Sequence, residues 1–75
     1  MVRYNIRINS GDNDVTYKYY FVHKDWETIS QEESDKAFNE AVTELNRIYK
    51  TYGRFATKTG VLRLFDSFGF MESLP

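Results

Sequence analysis

Apolar and polar residues follow two different rhythms along this chain, and each rhythm dictates an element. Between Ser30 and Tyr52 the apolar groups Phe38, Ala41, Val42, Leu45, Ile48, Tyr49 and Tyr52 recur at steps of three and four. That spacing gathers them on one stripe of an α-helix. Asn39, Glu40, Thr43, Glu44, Arg47 and Lys50 fall on the other side. Ser30 followed by Glu33 fits a capping box, in which each side chain satisfies a backbone N–H at the helix start. Gly53 stands where a glycine of positive φ closes a helix. Glu32, Glu33 and Asp35 at the front, and Arg47, Lys50 and Arg54 at the back, complement the helix dipole.

The second rhythm has a period of two. Val2, Tyr4, Ile6 and Ile8 alternate with Arg3, Asn5, Arg7 and Asn9, the pattern of a half-buried strand. Ser10-Gly11-Asp12-Asn13 is a cluster of turn formers. Val15, Tyr17, Tyr19 and Phe21 then alternate with Thr16, Lys18, Tyr20 and Val22. Pairing Asn9 with Asp14 leaves a four-residue loop. It sets Ile8 beside Val15, Ile6 beside Tyr17, Tyr4 beside Tyr19 and Val2 beside Phe21. Both apolar sets then share one face, and a slip of one residue would expose one of them.

Residues 61–70 carry both rhythms. Val61, Leu64, Phe65 and Phe68 have helical spacing, whereas Leu62, Leu64, Phe68 and Phe70 have strand spacing. Three features favour strands. Thr57-Lys58-Thr59-Gly60-Val61 suits a type I turn followed by a glycine bulge. Asp66-Ser67-Phe68-Gly69 places Asp and Gly at the two ends of a type I turn. A helix here would run from a basic start to an acidic end, against its dipole. The expected fold is therefore α+β: a small single-layer antiparallel sheet packed on one amphipathic helix, in the order ββαββ, with a short piece after Gly69. The alternative is ββαα.

Composition narrows the picture. Seventy-five residues suit a single compact domain, 1–75. Aromatics at 17% supply large buried area to a chain with little room for a core. There is no cysteine, so neither disulfides nor a Cys-based zinc site holds the fold. No apolar run approaches a membrane span, and Met1-Val2-Arg3-Tyr4 begins an alternation rather than a signal sequence. A cytoplasmic location and no membrane partner are the expectation. Net charge is −1, but its distribution is uneven. Residues 1–24 carry four basic and two acidic groups, residues 25–45 one and seven, and residues 46–75 five and two. Part of the acidic middle is dipole matching, and the rest suits a docking surface for a basic partner.

Candidate chemistry is mostly exclusion. His23 is the sole histidine, so a transition-metal site would need carboxylates alone around one imidazole. No catalytic residue, metal or cofactor is expected. Gly53 to Thr59 has the spacing of a phosphate-binding P-loop but lacks the glycine before its lysine and follows a helix. Lys58-Thr59-Gly60 matches a β-lactamase-type triplet, without the Ser-x-x-Lys that must accompany it.

What remains is surface. Trp26 is the one large group in the link from His23 to Ile29, a lid over the core's open end or a binding anchor. With Glu27, Glu32, Glu33 and Asp35 it forms the candidate protein-binding set. The expected function is a non-enzymatic, small protein-binding module acting through its surface. A chain of this size and style resembles the accessory and inhibitor proteins of phages and mobile elements. The first alternative is a single-stranded nucleic-acid binder using Arg3, Arg7, Lys18 and Tyr20 on the outer face of the first hairpin. There Arg3 is expected opposite Tyr20, Asn5 opposite Lys18 and Arg7 opposite Thr16. The second alternative is a structural homodimer with the sheet continued across copies.

Overall fold

The computed structural model describes residues 2–10, 15–52 and 58–73. Five elements follow in the order ββααβ: β1 Tyr4–Ser10, β2 Val15–His23, α1 Gln31–Tyr52, α2 Lys58–Ser67 and β3 Phe70–Glu72. The three strands form one antiparallel sheet, with β2 in the middle. The mixed α+β class is as expected, and the order ββαββ is not.

Helix α1 begins where its cap predicts. The Glu33 N–H donates to Ser30 Oγ at 3.2 Å, and the Ser34 N–H to the Ser30 carbonyl at 3.0 Å. Its stripe faces inward: Ala41 and Leu45 are buried, and Phe38 and Val42 pack partly buried against them. The Gly53 closure, the tip of the hairpin loop at residues 11–14 and the side chains of Tyr49 and Tyr52 lie outside the described residues.

The hairpin register is two residues from the expected one. Tyr4 pairs with Phe21, Asn5 with Tyr20, Arg7 with Lys18, Ile8 with Tyr17 and Ser10 with Val15. The reason is the period of the strand itself. A slip of one residue moves every side chain to the other face, but a slip of two returns each to its own. Alternation therefore fixes the face and leaves the pairing to the turn. One consequence is that Val2 lies outside β1 and is exposed, and Tyr4 takes its place across from Phe21. Tyr17, expected in the core, is half exposed.

The larger correction concerns residues 58–67, which are helical. The unfavourable helix dipole is a small term. A mismatched terminal charge costs about 0.3–1 kcal/mol, while burying a Val or Phe side chain contributes about 1.5–3 kcal/mol. As a helix, α2 buries both Val61 and Phe65, at 1% and 0% exposure. The acidic end is also compensated, because Lys24 pairs with Asp66. The Asp66–Gly69 turn does form, with the Gly69 N–H donating to the Asp66 carbonyl at 3.0 Å. It ends a helix instead of joining two strands. Gly69 adopts φ +92°, and the chain then enters β3, which pairs Phe70 with His23 and Met71 with Val22.

Two helices therefore cover one face of the sheet where one was expected. Their meeting point is aromatic. The ring of Phe21 stacks on Phe65 at 4.2 Å, and Tyr4 stacks on Phe38 at 4.4 Å. Phe70 stands edge-on to Tyr4, Phe38 and Phe65 at 5.6, 5.7 and 6.3 Å. Such edge and stacked pairs add to simple area burial.

Candidate functional site

The outward face of α1 carries an open, shallow groove of about 680 Å³. Seven of its lining residues come from α1: Glu32, Asp35, Lys36, Asn39, Glu40, Thr43 and Glu44. Glu32, Lys36, Glu40 and Glu44 are spaced by four, and Asp35, Asn39 and Thr43 likewise, so both rows run along the helix. Phe68, from the turn after α2, is the lining residue that α1 does not supply. Its ring is partly buried against the core.

The four carboxylates of the groove are not equivalent. Asp35 accepts from the Tyr4 hydroxyl at 2.6 Å and from Gln31 Nε2 at 2.7 Å. Glu44 is gripped by Arg47, whose Nε lies 3.0 Å from each carboxylate oxygen. That hydrogen bonding holds the Glu44 carboxyl below the usual value. Glu32 and Glu40 have no hydrogen-bonded or ionic partner among the described residues. They stand eight residues apart, about 12 Å along the helix axis.

Tyr4 joins the site to the core. Its ring is sandwiched among Phe38 and Phe70, and its hydroxyl meets Ser34 Oγ at 2.8 Å, besides Asp35 and Gln31. Partial burial, then the hydrogen bond to the Asp35 carboxylate, push the phenol above its ordinary value. The alternation placed this residue among the apolar set, and its polar end gave no signal there.

Trp26 belongs to a different feature. It is 41% exposed and lines a cleft of about 30 Å³ with Val2, His23, Ile29, Ser30, Gln31 and Ser34. The indole is not among the side chains that pack on the described core, and it keeps part of its surface in water. Below it, buried His23 ends β2, and its Nδ1 accepts from the Asp25 N–H at 3.0 Å. Of the candidate protein-binding set, the structure brings Glu32 and Asp35 into the groove. Trp26 lines the separate cleft, and exposed Glu27 and Glu33 line neither. Sequence reasoning missed Glu40, Glu44 and Phe68. The step-of-four row would have found the two glutamates, but Phe68 joins only once α2 is known to be a helix.

Of the four residues of the nucleic-acid alternative, Arg7, Lys18 and Tyr20 lie on the outer sheet face and Arg3 precedes β1; Arg3, Arg7 and Lys18 are exposed and Tyr20 is partly buried. Tyr20 is opposite Asn5 rather than Arg3. Among the described residues, no group of three His, Asp or Glu side chains is arranged to hold a metal ion, and no helix is long and apolar enough to cross a membrane. Compared with known proteins, the chain matches no family model, no curated protein and no solved structure.

Proposed function

We propose that this chain is a non-enzymatic protein-binding module, of the accessory or inhibitor kind, that seats a basic segment of another protein along α1. The observation that supports this reading is the groove itself. Glu32 and Glu40 stand unpaired among the described residues, at a spacing of about two helical turns, with Phe68 beside them. Two cationic side chains of a partner would engage the carboxylates, and an apolar side chain between them would rest on the Phe68 ring. Electrostatics of this kind speeds encounter and sets register, while the apolar contact slows release.

The test is affinity capture from the native host, comparing the wild type with Glu32→Lys/Glu40→Lys, followed by calorimetry on the captured protein. The reading expects one dominant basic partner, lost from the charge-reversed variant while far-UV circular dichroism is unchanged. The same proteins captured by both forms would refute it. Trp26→Ala is the companion variant: weakened capture would extend the interface around the first turn of α1 to the cleft.

A further inference from the structure

The other side of the molecule presents the opposite charge. Alternation along β1 and β2 turns Asn5, Arg7, Lys18, Tyr20 and the buried Val22 away from the helices, and the exposed Arg3 immediately precedes β1. Met71, paired with Val22, extends that face onto β3 and is 42% exposed. The described outward positions of β1 and β2 include two cations, Arg7 and Lys18, and no carboxylate, and Arg3 adds a third cation just before β1. Elsewhere Lys24 is paired with Asp66, Arg47 with Glu44, and Lys36 lies among the groove's carboxylates, while Lys58 and Arg63 on α2 have no ion-pair partner among the described residues. Arg3, Arg7 and Lys18 have no such partner among the described residues.

The register makes this more pointed. Arg7 and Lys18 are directly opposite each other across the β1–β2 ladder. Like charges in that position destabilise a sheet, so the pair works against the fold that carries it. Two residue pairs further along, and next on the same face, Tyr20 faces Asn5. The Tyr20 ring makes no aromatic or cation–π contact among the described residues. Cations flanking an aromatic ring and an amide on an open sheet suit one class of ligand: a flexible polyanion that also offers flat apolar rings.

We infer that the outer face of the sheet binds single-stranded nucleic acid. Arg3, Arg7 and Lys18 contact phosphates, Tyr20 stacks against a base, and the exposed Asn5 amide meets a base edge. Stacking on such a ring is tolerant of sequence because every base has a π-face, so little sequence preference is expected. This site lies on the opposite layer from the acidic groove and does not depend on it.

The test is fluorescence anisotropy of labelled oligo-dT and oligo-rU with the full chain. Three phosphate contacts at about 0.7 each give a slope of log K against log salt of about −2, a loss of roughly twentyfold between 50 and 200 mM salt. Arg7→Gln or Lys18→Gln lowers that slope by about 0.7. Tyr20→Ala weakens binding roughly tenfold at unchanged slope, and Tyr20→Phe restores it. Lys18 is exposed, so its variant keeps the test valid should Tyr20→Ala unfold. No binding at 50 mM salt would overturn the proposal. So would wild-type slopes in both charge variants, or equal affinity for a duplex.

Discussion

Gly69→Ala tests how α2 hands over to β3. Two costs arise at that position. The backbone is at φ +92°, where an L side chain is strained, at about 1–2 kcal/mol for a non-glycine residue. The new Cβ would also lie 2.8 Å from His23 Nε2 and 3.3 Å from its Cε1. The imidazole has little freedom to yield. Its Nδ1 accepts from the Asp25 N–H, and its ring stands edge-on to Phe70 at 5.1 Å. Forcing a methyl group into such a packed site costs about 1–3 kcal/mol. Together the loss is about 2–5 kcal/mol, against a total of about 4–11 kcal/mol for a chain of this length. Each kcal/mol lowers Tm by about 4–8 °C in a domain of this size, so a drop of about 8 °C or more is expected in a thermal melt. Urea unfolding followed by circular dichroism and by the single tryptophan, Trp26, measures the free-energy loss. In a His23→Ala background the steric part disappears, and Gly69→Ala should then cost about 1–2 kcal/mol. A loss below about 0.5 kcal/mol in the wild-type background, or the same loss in both, would refute the reasoning.

Three other substitutions probe separate parts of the fold. Phe65→Ala empties the fully buried centre of the aromatic cluster and should cost about 3–5 kcal/mol in chemical denaturation, whereas truncating an exposed residue such as Lys58 costs little. Tyr4→Phe deprives Asp35 and Ser34 of a partner and should cost about 1 kcal/mol near neutral pH. Because the folded-state Tyr4 phenol is raised, its proton-linked contribution is complete below the unfolded value near 10 and vanishes as pH climbs through the folded one. Stability of the wild type should therefore fall above pH 10 more steeply than that of Tyr4→Phe. Lys18→Thr relieves the cross-strand repulsion with Arg7 and should raise stability by about 0.2–1 kcal/mol, while weakening oligonucleotide binding in the anisotropy assay.

The helix α1 was legible from sequence because seven apolar positions and a cap agree on it. The strands were legible as faces: Ile8, Tyr19 and Phe21 do point into the core. Their pairing was not, because alternation is unchanged by a shift of two. The segment 58–67 satisfies both periods, and the dipole term that disfavours a helix there is weak. The deciding quantity was which arrangement buries Val61 and Phe65 together, and that depends on surfaces contributed by Phe21 and Phe38, far away in the chain. The candidate groove inherits this history. Glu32 and Asp35 could be proposed from α1 alone, whereas Phe68 needed α2. Trp26 looked continuous with the acidic turn only because it is near in sequence.

Phe70 touches His23, Phe38 and Tyr4, partners 47, 32 and 66 positions away in the numbering. The described hydrophobic centre therefore draws side chains from both ends of the chain. The first two strands, cut out as a peptide, should be unstructured in water, since a lone two-stranded ribbon is marginal at best. Folding should be all-or-none and paced by the ordering of the long intervening stretch, so that damage at this one phenylalanine is felt simultaneously at both ends of the molecule.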